Sequence, residues 1–141
     1  MKERRILFMG QKPLGEKCFF LLQNCNCDNF KTLAVVSNTS SEEVWWRSNG
    51  IFRYCNDNNI PFITNSSKNE VLIKDFISKL RINTIISVQH KWIISSEIID
   101  RVGGEAFNLH KAPLPKYKGF NTFTHAILNG EKEYASTIHK M

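Results

Sequence analysis

Four short apolar runs restrict the fold of this chain more than any other feature. Arg5–Gly10 reads Arg-Ile-Leu-Phe-Met-Gly and Thr32–Ser37 reads Thr-Leu-Ala-Val-Val-Ser. Asn83–Val88 reads Asn-Thr-Ile-Ile-Ser-Val, and Ala106–His110 reads Ala-Phe-Asn-Leu-His. The first three are nearly continuous in hydrophobicity rather than alternating, as expected of strands buried on both faces. Helical patterns separate them. Glu16–Asn24 and Phe52–Asn58 are short helices. Leu72, Phe76 and Leu80 recur at i, i+4, i+8 with Ile73 and Ile77 beside them, an amphipathic stripe. Ser95–Val102 is a helix capped by Ser95 or Ser96 and closed by Gly103-Gly104, and Asn121–Asn129 is one closed by Gly130. Ile60-Pro61-Phe62-Ile63 is a short strand that its proline confines to an edge or a strand start. Tyr134–Lys140 alternates as a strand. The result is an α/β fold: a mostly parallel, doubly wound sheet with helices on both faces and a ligand crevice at strand C-termini.

Length and composition bound the rest. The 141 residues make one domain, 42% hydrophobic and 23% charged, in the range of a globular protein. The net charge of +6 suits an anionic ligand without choosing one. The cysteines Cys18, Cys25, Cys27 and Cys55 are irregularly spaced, and Cys25-x-Cys27 has no second pair to complete a zinc site. They are read as reduced thiols of a cytoplasmic protein, with no metal. No apolar run reaches the ~20 residues of a membrane span. The first βα turn has glycines only at Gly10 and Gly15 and lacks the G-x-G-x-x-G fingerprint, which argues against a dinucleotide there. Ser40 with Glu43 and Ser67 with Glu70 fit capping boxes. Trp45 and Trp46 are read as packing over the sheet; the competing reading, base stacking on RNA, predicts affinity that falls steeply with salt. His90 is read as a surface or hydrogen-bonded residue, with a role as an active group the competing reading.

The stretch from Phe107 to Gly119 carries the chemistry. Asn108 and His110 sit one residue apart on an extended segment, so both side chains project to the same side. A carboxamide can donate to a developing oxyanion, and an imidazole can move a proton near neutral pH. Pro113-x-Pro115 then ends the strand and makes a stiff rim.

Asn108-x-His110, followed by Leu114-Pro115-Lys116-Tyr117-Lys118-Gly119, resembles the core signature of the formyltransferases that use 10-formyltetrahydrofolate. A second block, Ala126-Ile127-Leu128-Asn129-Gly130-Glu131 and then Ser136-Thr137-Ile138-His139, resembles that family's helix end and its Thr-x-His strand. The resemblance implies a Rossmann-like catalytic domain over residues 1–141. It implies catalytic roles for Asn108 and His110, with 10-formyltetrahydrofolate as cosubstrate. Gln89, Trp92, Ile93, Ile94 and Leu114 would line the folate site. Asn121-Thr122-x-x-His125 is most similar to members acting on amino sugars carried by nucleotides, such as those that serve lipopolysaccharide O-antigen synthesis. Methionyl-tRNA and glycinamide ribonucleotide enzymes are the alternatives, with an inactive binding fragment as a further one. The family also uses an Asp shortly after the Thr-x-His strand, a position beyond Met141, so the domain is expected to be C-terminally incomplete and a poor catalyst by itself. The partners implied are folate and sugar-nucleotide small molecules, with no membrane and no nucleic acid. A homodimer through an open edge near Tyr134–Lys140 is a further expectation.

Overall fold

The computed structural model describes residues 3–38, 49–64 and 69–141. Ser40, Glu43, Trp45, Trp46 and Ser67 lie outside them, and so does the helix expected near Ser41. The elements are β1 (Arg4–Gly10), α1 (Lys12–Gln23), β2 (Phe30–Ser37), α2 (Gly50–Asp57), β3 (Phe62–Thr64) and α3 (Glu70–Lys79). They continue with β4 (Thr84–Val88), α4 (Ser96–Arg101), β5 (Ala106–His110), α5 (Thr122–Leu128) and β6 (Thr137–Lys140). One sheet runs β3-β2-β1-β4-β5-β6. β1 to β5 pair in parallel, and β6 joins β5 antiparallel.

The continuous apolar runs become strands with two covered faces, since alternate residues feed two cores. Leu7, Met9, Val36, Ile85 and Ala106 meet Ile73 and Ile77 of α3 and Ile98 of α4 on one face. Phe8, Val35 and Val88 meet Phe19 of α1 and Ile51 and Cys55 of α2 on the other. Ile6, Leu7 and Phe8 of the central strand are wholly buried. Cys55 is enclosed too, and burial pushes its thiol up to about 12, so it stays protonated.

Several boundaries differ from the sequence expectation for local reasons. α1 begins at Lys12 rather than Glu16, because Pro13 falls in the first turn, where a missing N–H costs nothing. The stripe of α3 is rotated: Ile73 and Ile77 are its buried centre, whereas Leu72 is exposed. α3 begins at Glu70 itself, after Asn69, so Glu70 is not the third residue of a capping box. Its carboxylate instead accepts from the Ser95 hydroxyl. Ser95 does stand at the N-cap of α4, but without a side-chain cap bond. β6 is shorter than the alternating run, because Tyr134 turns inward and donates its hydroxyl to the Lys111 carbonyl at 2.7 Å.

The strand order reverses between β1 and β4, the place where a doubly wound sheet opens a crevice. Gly15 lets α1 cross close to that point, since a Cβ there would lie 3.1 Å from the Val88 carbonyl. The Gln11 N–H donates to the same carbonyl at 3.3 Å. Further along, Glu105 ties the sheet together, accepting from Arg4 at 2.7 Å and from Lys140 at 3.0 Å.

Candidate active site at the ends of β4, β5 and β6

The register of β5 explains how the polar residues meet. Asn108 and His110 share the parity of Ala106, so they project to the face covered by α3 and α4. In β4, Ser87 stands beside Asn108. In β6, His139 stands opposite Asn108 and Thr137 opposite His110. Residues directly opposite in an antiparallel pair project to the same side. The expected pair is therefore brought together with three polar residues, Ser87, Thr137 and His139, to which the sequence alone assigns no role. Thr137-x-His139 has the same one-residue spacing as Asn108-x-His110. Recognising its role requires the pairing of β6 with β5, which composition and periodicity do not state.

Hydrogen bonds fix both imidazoles. His110 Nε2 lies 3.0 Å from the Tyr117 carbonyl oxygen. A carbonyl only accepts, so Nε2 carries the proton and Nδ1 is the ring atom left to exchange one. Tyr117 reaches this position through a left-handed backbone (φ 57°). Its hydroxyl donates to Glu131 at 2.7 Å, and Asn129 donates to that hydroxyl at 3.1 Å. Lys116 also pairs with Glu131, whose carboxyl is held below the usual carboxylate range first by the Lys116 bond and then by Tyr117.

The loop after His110 is anchored by backbone contacts. Thr137 Oγ1 donates to the Ala112 carbonyl at 2.7 Å and accepts from the Leu114 N–H at 3.1 Å. Thr122 Oγ1 donates to the Lys111 carbonyl at 2.9 Å. The Leu114-Pro115 peptide is cis, and Leu114 is half-buried.

The segment after β4 runs alongside. Gln89 turns out of the strand with a left-handed backbone (φ 53°). Gln89 Oε1 and His90 Nδ1 are buried without a hydrogen-bond partner among the described residues. Burial holds the His90 imidazole down to about 4, so it is neutral at physiological pH. The expectation of a surface or hydrogen-bonded His90 is corrected accordingly: it is half-buried and Nδ1 has no partner. The three expected wall residues have different environments. Ile94 packs against the core under α3 and α4. Ile93 is 99% exposed, and Trp92 is 40% exposed with the Lys91 ammonium 5.0 Å from its ring centroid. Among the described residues, no three His, Cys, Asp or Glu side chains converge as a metal ion would require. Among them too, no helix is long and apolar enough to cross a membrane.

Comparison with known proteins gives the family and the fold. The family model described as "Formyl transferase" matches residues 4–141. The bifunctional polymyxin resistance protein ArnA of Wigglesworthia glossinidia brevipalpis is 30% identical over 115 residues, which cover 79% of this chain and 17% of that protein. The methionyl-tRNA formyltransferase of Finegoldia magna is 33% identical over 79 residues, covering 56% of this chain and 26% of that one. The chain thus matches well under half the length of these curated relatives. Among solved structures, phosphoribosylglycinamide formyltransferase from Anaplasma phagocytophilum superposes with a TM-score of 0.77 at 19% identity, over 99% of this chain and 65% of that one. A formyltetrahydrofolate deformylase from Pseudomonas syringae pv. tomato gives 0.74 at 15% identity, over 99% and 46%. Both likenesses are of fold.

Proposed function

The chain belongs to the formyl transferase family, and from that premise we propose that it transfers a formyl group from 10-formyltetrahydrofolate to the primary amine of an amino sugar carried on a nucleotide. The observation that carries this reading is the placement of Asn108 and His110 on one side of β5, beside the segment that leaves β4. A formyl donor supplies an electrophilic carbon whose leaving group is the folate N10. When the amine lone pair adds to that carbon, negative charge develops on the formyl oxygen, and Asn108 donates a side-chain N–H to it. As the bond to N10 breaks and its electrons return to nitrogen, His110 relays the proton lost by the amine to N10 through Nδ1. The products are a formamide and tetrahydrofolate.

The residues around the pair fit such a donor. Gln89 Oε1 and His90 Nδ1, buried and unpartnered, match a planar heterocycle that carries N–H groups. Ile94 and Leu114 give it apolar edges, and Trp92 and Ile93 are exposed flanks that would be covered on binding. The amine class rests on the Asn121-Thr122-x-x-His125 pattern; the net charge of +6 suits any phosphorylated amine and does not choose among them. The test is a formyl-transfer assay with labelled donor and three amines: an amino-sugar nucleotide, glycinamide ribonucleotide and methionyl-tRNA. Formylation of the amino sugar alone is expected, at any rate above that without the chain. Preferential formylation of either other amine overturns the substrate, and transfer to none overturns the activity.

A further inference from the structure

We propose that His139 is a positioning residue that locks the carboxamide of Asn108 in the orientation able to stabilise an oxyanion. The inference rests on the role given to Asn108 above. Asn108 Nδ2 lies 3.2 Å from His139 Nε2. On the far side of the same ring, His139 Nδ1 lies 3.1 Å from the Lys140 carbonyl oxygen. That carbonyl can only accept, so Nδ1 carries a hydrogen, and Nε2, which faces the Asn108 NH2 group, holds a lone pair. Only the NH2 end of the carboxamide can face a lone pair. The chain of bonds from Lys140 through His139 therefore dictates which end of Asn108 points where.

This order has a chemical consequence. A carboxamide without such a partner turns over by half a rotation and presents its oxygen as readily as its nitrogen. An oxygen aimed at a developing oxyanion repels it. With one N–H committed to His139, the second N–H is the group Asn108 offers on the face it shares with His110. The donor is then oriented before reaction, so no reorganisation is needed as charge develops. His139 owes its place to the antiparallel register that sets it opposite Asn108. Lys140, whose ammonium is tied to Glu105 at 3.0 Å, holds the carbonyl that sets the tautomer.

The experiment has two arms. In the first, nuclear magnetic resonance on the unsubstituted, 15N-labelled chain looks for a scalar coupling across the N–H···N bond between Asn108 Nδ2 and His139 Nε2, with His139 in the Nδ1-protonated tautomer. This arm does not depend on turnover, and absence of the coupling or an Nε2-protonated ring overturns the proposal. In the second, His139→Leu and His139→Gln are compared with Asn108→Ala in the formyl-transfer assay. His139→Leu is expected to lower kcat roughly five- to tenfold, the worth of one ordinary hydrogen bond, with KM for the amine unchanged. His139→Gln, which keeps a neutral acceptor near the Nε2 position, is expected to restore most of it. Unchanged kcat in His139→Leu, alongside a large loss in Asn108→Ala, overturns the positioning role alone. Unchanged turnover in Asn108→Ala overturns the reading on which it stands.

Discussion

At the scale of single residues, the site is a set of side chains whose donors and acceptors are assigned by neighbouring carbonyls. His110 is held by Tyr117 and His139 by Lys140. Asn108→Ala and His110→Ala are each expected to reduce turnover by roughly 10²–10³. Their melting temperatures should stay near that of the parent, because neither side chain belongs to a core cluster; a large thermal shift with retained turnover would assign them to structure instead. His90 makes a different prediction. Its folded pKa, about 4, lies below its ordinary value of 6.5. As pH falls through that window the unfolded chain takes up a proton that the folded chain refuses. Stability should therefore fall with pH by up to about 1.4 kcal/mol per unit. Urea unfolding at a series of pH values should show this slope, and His90→Asn should flatten it; identical slopes would show that His90 does not titrate as its burial requires. Asn108 and His110 were legible in the sequence because a strand's period of two places them together. His139 and the orphaned atoms of Gln89 and His90 were not, because they depend on which strand lies alongside and on what closes over a turn.

At the scale of elements, burial follows the face a helix presents rather than its apolar content. Ile77 of α3 is 4% exposed and Leu72 is 51% exposed, although both belong to the same apolar pattern. Ile77→Ala is expected to cost roughly 2–5 kcal/mol in chemical denaturation, and Leu72→Ala roughly 0.5 or less. Comparable losses would mean that the helix is docked differently. The strands were more legible than the helices, since a run covered on both faces is apolar whichever residue faces which layer. A helix with five apolar residues can be rotated without changing its pattern, and only the packing of Ile73 and Ile77 against the sheet selects the rotation. The antiparallel direction of β6 was likewise hidden, because alternation looks the same read either way.

At the scale of the whole molecule, the sheet order β3-β2-β1-β4-β5-β6 puts the ends of β4 and β5 side by side next to the point where strand order reverses. The same topology that covers both faces of the sheet leaves its C-terminal edge to loops, and the loops carry the polar groups. Our proposal is that the formyl donor occupies the space between Gln89–Ile94 and the loop after His110. It is tested most directly by titrating the chain with 5-formyltetrahydrofolate while following backbone amide resonances. Saturable shifts are expected, concentrated at Gln89–Ile94 and Leu109–Leu114, with β3 at the opposite edge of the sheet unaffected. Shifts that fail to saturate, or that centre on the cleft lined by Pro13, Phe20 and Asn24 of α1 and its C-cap, would contradict it.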